Sequence, residues 1–292
     1  MTAVLILGGG PDAERQVSIA SATAVHQACL DAGLNAKLLI VDEPTTEEIA
    51  AWQTDVIFPV LHGTFGEGGQ LQQRIQAAGQ PFVGAKAQAA RIAMDKMATK
   101  LLAATLGIPT KPAALLDPAA ITNPTQAVHP IDPPLDLPIV IKPVAEGSSF
   151  GLYLCPNLQS WHAALQTIAQ SDHQSIYMIE PLIDGKELTI GVIDNGSGGL
   201  RALPTIEIAP ASGTYDYQAK YERADTVYTV NPDLADDLVS DLQDWSLSLC
   251  QSIGVRHLAR VDFMLDHQGT PWLLEANTMP GFTKTSLLPK AA

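Results

Sequence analysis

Three short apolar runs, Ala3 to Leu7, Ala36 to Val41 and Asp55 to Val60, are separated by Ala-rich stretches with helical spacing. Runs rich in Val, Ile and Leu that alternate with helices predict a parallel sheet covered by helices. The first run enters Gly8-Gly9-Gly10-Pro11, and Asp12 to Leu30 then reads as a helix with Glu14 in its first turn. This strand-loop-helix unit lacks the glycine spacing of a dinucleotide-binding turn, because no glycine stands three residues after Gly10. The third run leads into Leu61-His62-Gly63-Thr64-Phe65-Gly66-Glu67-Gly68-Gly69, at the strand end where sheets of this kind hold ligands. Its glycines imply close approach of backbone to something, and His62 beside Glu67 reads as an oriented imidazole.

Near Gly84 to Met94 the pattern changes, and Asp95 to Leu106 reads as a helix before Gly107-Ile108-Pro109. A domain boundary is expected there. Residues 117 to 138 are proline-rich with little periodicity and read as a connecting loop, followed by a strand from Pro138 to Ile141. The remainder mixes short strands with helical stretches at 157 to 170 and 232 to 253, so the fold class is α/β followed by α+β. At 292 residues and 46% hydrophobic, the chain can bury a full core and divide into two or three domains.

Thirty-one acidic against seventeen basic residues give a net charge of −14, which repels nucleic acid and anionic membranes. An anionic substrate must therefore meet locally placed cations. The N-terminus opens on a strand-like run without signal-peptide features, and no run reaches membrane-spanning length, so cytoplasm is the expected compartment. Cys29, Cys155 and Cys250 are odd in number and widely spaced, and read as buried structural thiols.

Arg260-Val261-Asp262-Phe263-Met264-Leu265-Asp266 and Leu273-Leu274-Glu275-Ala276-Asn277 read as two strands joined by a polar turn. Residues two apart share a face of a strand, so Arg260 and Asp262 point one way, as do Glu275 and Asn277. A turn centred near Gln268 pairs Asp262 with Glu275 and Arg260 with Asn277. Carboxylates directly opposite one another repel unless a cation lies between them. Asp, Glu and Asn oxygens without nearby Cys or His suit Mg²⁺, which keeps several waters and binds phosphate oxygens. The hairpin therefore points to a nucleotide.

Leu137 to Pro143 is an apolar strand ending in Lys142, followed by Glu146-Gly147-Ser148-Ser149-Phe150-Gly151. Backbone N–H groups and hydroxyls of such a loop can fold over a polyphosphate while the lysine supplies a point charge. The same loop satisfies the G-x-S-x-G pattern of serine hydrolases, but that elbow needs a helix directly after the serine, and Leu152 to Cys155 looks like a strand. Ser175 to Glu180 is a strand running into Pro181-Leu182-Ile183. That extended backbone can present a C=O and an N–H to an adenine edge, or serve as an ordinary interdomain connection.

In chain order, Gly8-Gly9 with Ala13-Glu14-Arg15 and Ser18, His62-Gly63 with Gly66-Glu67, Met94-Asp95-Lys96 and Ile141-Lys142-Pro143 with Glu146 to Ser149 form one set of motifs. Tyr215-Asp216-Tyr217 with Ala219-Lys220-Tyr221, Arg260 with Asp262, and Glu275 to Leu287 continue it. Together they resemble the D-alanine:D-alanine ligases of the ATP-grasp superfamily over nearly the whole chain. The resemblance implies an ATP-grasp fold with an N-terminal pre-grasp domain (1 to 94), a central domain (95 to 180) and a C-terminal domain (181 to 292), with ATP clasped between the last two. It implies that Lys96 and Lys142 bind ATP phosphates under the loop Glu146, Ser148 and Ser149, and that Glu180, the Pro181 and Ile183 backbone and Glu187 hold adenosine. Asp262, Glu275 and Asn277 would ligate Mg²⁺, with Mn²⁺ as a substitute. Glu14 would anchor the first substrate's ammonium in a hydrogen-bonded group with Ser148 and Tyr221, Lys220 would reach the transferring phosphate, and His62 would lie near the first substrate. Arg260 and the Gly281 N–H would stabilise the developing oxyanion, while Ser286 and the Leu287 N–H would take the second carboxylate. Two D-alanines would be joined through an acylphosphate for peptidoglycan precursor synthesis, by a homodimer.

Gly66-Glu67-Gly68-Gly69 stands where the family has Gly-Glu-Asp-Gly, and Glu180-Pro181-Leu182 where it has Glu-Lys-Trp. Relatives also continue beyond Ala292 into a last helix, whose absence would cost stability or mark a distinct branch. Tyr221 beside Lys220 resembles dipeptide formers, with D-serine open as second substrate. These departures motivate two alternatives: a ligase for other amino acids, and a nucleotide-binding protein without ligase activity.

Overall fold

The computed structural model describes residues 2–121, 132–148, 150–171, 175–210 and 226–292. Strands β1 (Ala3–Gly9), β2 (Asn35–Val41) and β3 (Val56–Pro59) form a parallel sheet in the order β2-β1-β3. The helix Arg15–Asp31 covers it through Ser18, Ser21, Ala22 and Val25. The helix begins three residues after the expected Asp12, so that Glu14 is its N-cap rather than a residue of its first turn. Gly9 has φ +108°, and a Cβ there would lie 2.2 Å from Val41 O, so only glycine lets the chain leave β1 this close to β2.

Strands β4 (Ala114–Leu116), β5 (Ile139–Pro143), β6 (Tyr153–Cys155) and β7 (Tyr177–Pro181) form an antiparallel sheet in the order β4-β7-β5-β6. The helix Leu158–Gln170, closed at its start by a capping box between Asn157 and Ser160, buries Trp161, Leu165 and Ile168 against it. The two-residue period divides the strands. Ile139, Ile141, Tyr177 and Ile179 join the core with that helix, which leaves Val140, Lys142 and Glu180 to line a cavity on the other face. The expected connecting loop contains a short helix, Pro118–Ile121, and residues 122–131 of it lie outside the described residues.

Strands β8 (Gly185–Asp194), β9 (Leu200–Pro210), β10 (Thr226–Val230), β11 (Leu258–Asp266) and β12 (Pro271–Asn277) form a five-stranded antiparallel sheet in the order β10-β9-β8-β11-β12. Leu188, Ile190, Val261 and Phe263 on this sheet share a core with Ala89, Ala90 and Ala93 of the helix Ala87–Met94 and with Leu242 and Leu249 of the helix Asp236–Ile253. The latter helix begins four residues later than the 232 expected. Ala103 of the helix Lys96–Thr105 joins the same core. Arg256 and His257 clamp the segment before the helix Ala87–Met94: the Arg256 Nη2 donates to Gly84 O at 2.9 Å, and the Gly84 N–H donates to His257 Nδ1 at 2.9 Å. Cys155 and Cys250 are buried as expected, whereas Cys29 is partly exposed. Among the described residues, no helix is long and apolar enough to cross a membrane.

Candidate active site

Asp262 pairs with Glu275, and Arg260 with Asn277, across β11 and β12. Both pairings agree with the register expected from alternation and turn position. The register then shifts between Asp262 and Phe263, so that Phe263 pairs with Leu273 and Leu274 is the extra residue of a bulge. The bulge directs both Leu274 and Glu275 into the cavity beneath the strand. The two facing carboxylates already have cations, supplied by the protein. Arg260 grips Asp262 with a two-point fork, Nε to Oδ1 at 2.9 Å and Nη2 to Oδ2 at 2.7 Å. Thr189, directly opposite on β8, donates to Asp262 Oδ1 at 2.6 Å. Lys96 Nζ lies 3.2 Å from Glu275 Oε2 and donates to Glu146 O at 2.5 Å.

Two cavities meet at Lys96, Glu146, Gly147 and Glu275. One is polar, and it brings together Glu14, His62, Ser148, Arg260, Asn277, Gly281, Ser286 and Leu287 from three sections of the chain. Ser148 Oγ donates to Glu14 Oε1, which joins the Gly/Ser loop to the start of the first helix. Ser148 has φ +49°, a strained left-handed conformation for a non-glycine residue. Gly281 sits so close to Ser286 that an added Cβ would lie 2.7 Å from its Oγ. The Ser286 Oγ accepts from the Thr283 N–H at 2.9 Å, and Asn277 Oδ1 accepts from the Met279 N–H at 2.9 Å.

His62 is buried between Glu67, 3.6 Å from its Nδ1, and Ser21, whose Oγ is 3.3 Å from its Nε2. Burial pulls the imidazole pKa down, but Glu67, by hydrogen bonding and charge, together with Glu14, outweighs it and raises the pKa above its ordinary value. Ser21 Oγ also accepts from the Phe282 N–H at 3.2 Å. It thereby links the first helix, the His62 loop and the Gly281 segment. An Ala/Ser-rich helix hides such a residue in the sequence.

The second cavity is an apolar slot between the four-stranded and five-stranded sheets. Val140, Phe150, Leu154, Leu182, Ile208 and Met264 line it with Pro181, Ile183 and Glu187, and Lys142 and Glu180 stand at its floor. The Glu180 carboxylate, at the edge of this cavity, is buried between Lys100 Nζ at 2.7 Å and Lys142 Nζ at 2.5 Å. Burial pushes its carboxyl up, and Lys142 and Lys100 outweigh that and hold it below the usual carboxylate range. Lys100 and Thr189 carry no motif and were not among the expected site residues. Ser149, Lys220 and Tyr221 lie outside the described residues. The Gly147 to Gly151 segment runs into β6 rather than a helix, which removes the geometry a hydrolase elbow requires.

Asp262, Glu275 and Asn277 supply three oxygen donors, two of them anionic, and no group of three or more His, Cys, Asp or Glu side chains placed to hold a metal ion by themselves occurs among the described residues. Such a set fits a hard cation that retains water and shares phosphate oxygens better than a metal fully enclosed by protein.

The family described as D-ala D-ala ligase C-terminus matches residues 102–292. The D-alanine--D-alanine ligase B of Chromobacterium violaceum is 38% identical over 99% of this chain and 91% of its own length. The D-alanine--D-alanine ligase of Bordetella petrii is 37% identical over 98% of this chain and 85% of its own. The crystal structure of the Bacillus anthracis D-alanine--D-alanine ligase complexed with ATP superposes with a TM-score of 0.78 at 29% identity, covering 100% of this chain and 90% of that one.

Proposed function

The chain belongs to the D-alanine--D-alanine ligase family, and we propose that it joins two D-alanine molecules to D-alanyl-D-alanine at the expense of ATP, for peptidoglycan precursor synthesis. The observation that carries this reading is the meeting of an apolar slot and a polar cavity at Lys96, Glu146, Gly147 and Glu275. That junction lets a nucleotide's transferring phosphate reach a carboxylate held on the other side. The adenine enters the slot beside the backbone of Pro181 and Ile183, with Glu187 at the ribose. Lys96 and Lys142 meet the phosphates beneath the loop Glu146, Ser148 and Ser149, and Lys220 reaches the phosphate in transfer.

Glu14, tied to Ser148, anchors the first D-alanine's ammonium, and His62 lies beside that substrate. The first carboxylate attacks the γ-phosphorus, the bond to ADP breaks, and an acylphosphate forms. The second D-alanine is held through its carboxylate by Ser286 and the Leu287 N–H, and its deprotonated amine attacks the acyl carbon. Arg260 and the Gly281 N–H stabilise the tetrahedral oxyanion until phosphate leaves, and Tyr221 closes the hydrogen-bonded group with Ser148 and Glu14. Such chemistry depends on positioning and charge neutralisation rather than on a covalent enzyme intermediate. Asp262, Glu275 and Asn277 would hold Mg²⁺, or Mn²⁺ in its place, which supplies phosphate charge neutralisation when bound. Arg260 and Lys96 balance these carboxylates in the structure.

The domain division at 94/95 and 180/181, a homodimeric assembly and a cytoplasmic location complete the proposal. The net charge of −14 disfavours nucleic-acid partners. The test is phosphate release from ATP and Mg²⁺ with each D- and L-amino acid, with product mass determined. Stimulation by D-alanine with a D-alanyl-D-alanine product is expected. Stimulation by another amino acid alone would overturn the substrate assignment, and stimulation by none would leave a nucleotide-binding protein.

A further inference from the structure

Helix Lys96–Thr105 carries two lysines one turn apart, and they reach carboxylates on two different sheets: Lys96 to Glu275 on β12, Lys100 to Glu180 on β7. Lys96 lines the junction of the two cavities, whereas Lys100 lines neither. Lys100 is 3% exposed, Glu180 2% and Lys142 8%, so three formally charged groups, two lysines and one glutamate, share one buried site at the cavity wall. The alternation of β5 and β7 builds it. Val140 pairs with Glu180, and Lys142, two residues further along β5, lies on the same face.

A buried carboxylate between two lysines needs only one of them for neutrality, and leaving it with none is strongly unfavourable. We infer that Lys100 is a positioning residue for nucleotide binding: by neutralising Glu180, it frees the charge of Lys142 for the anionic end of the nucleotide. The inference rests on the proposed nucleotide site and deepens it. In the structure, Lys142 donates to Glu180. When the triphosphate enters, Lys142 transfers part of its hydrogen bonding to phosphate, and Glu180 keeps Lys100. Without Lys100, the same transfer would strip Glu180 of its remaining cation, so Lys142 would stay with the glutamate. The arrangement also explains why a buried lysine that touches no cavity is tolerated, although burial, and to a lesser degree Lys142, pull its pKa down against the opposing pull of Glu180.

The test compares equilibrium binding of ATP and of adenosine to the full chain, its K100M variant and the K100M/E180Q double variant. K100M is expected to weaken ATP binding roughly tenfold or more, the scale of a lost charge-assisted hydrogen bond, while adenosine binding changes less than threefold. In the double variant no carboxylate remains to hold Lys142, and ATP affinity is expected to return to within about threefold of the unmodified chain. Equal losses for both ligands without recovery in the double variant would reduce Lys100 to a packing role and overturn the inference. If K100M does not fold, the double variant, which removes the buried carboxylate together with Lys100 and leaves Lys142 to the phosphates, decides alone: near-normal ATP affinity supports the inference and loss of it overturns it. An unmodified chain that binds adenosine no better than unrelated protein would instead remove the nucleotide site itself, and the inference with it.

Discussion

Glu275 on β12 stands directly opposite Asp262 on β11, and the two carboxylates are kept apart in charge by Lys96 on one side and Arg260 on the other. The protein thus places Glu275 at the junction of its two cavities, with Asp262 opposite it on the neighbouring strand and a cation against each carboxylate. Glu275→Gln removes one of the two anionic donors. The Mg²⁺ concentration giving half-maximal turnover at saturating ATP should rise on the order of tenfold or more, chelation should abolish turnover, and Mn²⁺ should restore it. An unchanged Mg²⁺ titration would exclude Glu275 as a ligand.

Gly281→Ala tests the second-substrate side. The added methyl would lie 2.7 Å from Ser286 Oγ, and the backbone there is not left-handed, so crowding is the whole effect. Moving Ser286 and the Gly281 N–H by a fraction of an ångström to one ångström should lower D-alanine turnover about 10²-fold. ATP affinity and the thermal midpoint should change little. Full dipeptide synthesis by the variant would remove both residues from the acceptor site.

Ser21→Ala deletes the acceptor of the Phe282 N–H and the neighbour of His62 Nε2. Leaving that half-buried N–H without its protein partner should cost about 1 kcal/mol in denaturant unfolding. The KM for D-alanine should rise while that for ATP holds, because Ser21 links the His62 loop to the Gly281 segment and touches nothing in the apolar slot. A rise in both constants together would mean that Ser21 supports the fold in general.

A pH dependence follows from His257. Its Nδ1 accepts from the Gly84 N–H, which requires the neutral ring. Burial, and then the charge of Arg256, push its pKa down against the opposing pull of Asp194. A folded pKa below the unfolded value means that this stabilisation is complete above about 6.5 and is lost as pH falls through the folded pKa. The sign at His62 is opposite: its raised pKa favours the fold below about 6.5 and that contribution fades as pH rises. The thermal midpoint of the unmodified chain should therefore fall more steeply than that of His257→Gln between neutral and mildly acid pH. Parallel curves would show that the clamp on Gly84 does not depend on the neutral ring.

Much of this architecture is legible in local pattern. Apolar alternation and a short polar turn determine the partnering of Asp262 with Glu275, and runs of Val, Ile and Leu between Ala-rich helices announce the three-stranded parallel sheet. What pattern does not carry is partnership at long range. Lys100, one helical turn from Lys96, has the spacing of an ordinary solvated lysine, and only the distant β7 turns it into half of a buried ion pair. Glu180 reads as the acidic end of a strand, and nothing near it in sequence announces the two lysines that flank its carboxylate. Thr189 and Ser21 are small polar residues in apolar or Ala-rich runs, and their hydrogen bonds to Asp262 and to Phe282 cross 73 and 261 residues. The bulge at Leu274 escapes the period-two reading because a single extra residue leaves the alternation on either side intact.

The most direct test of the acylphosphate route uses D-alanine labelled with ¹⁸O in its carboxylate, with ATP and Mg²⁺. Attack by that carboxylate on the γ-phosphorus predicts that each inorganic phosphate released with a D-alanyl-D-alanine carries one labelled oxygen. Unlabelled phosphate, formed by water attack on ATP, would contradict the account.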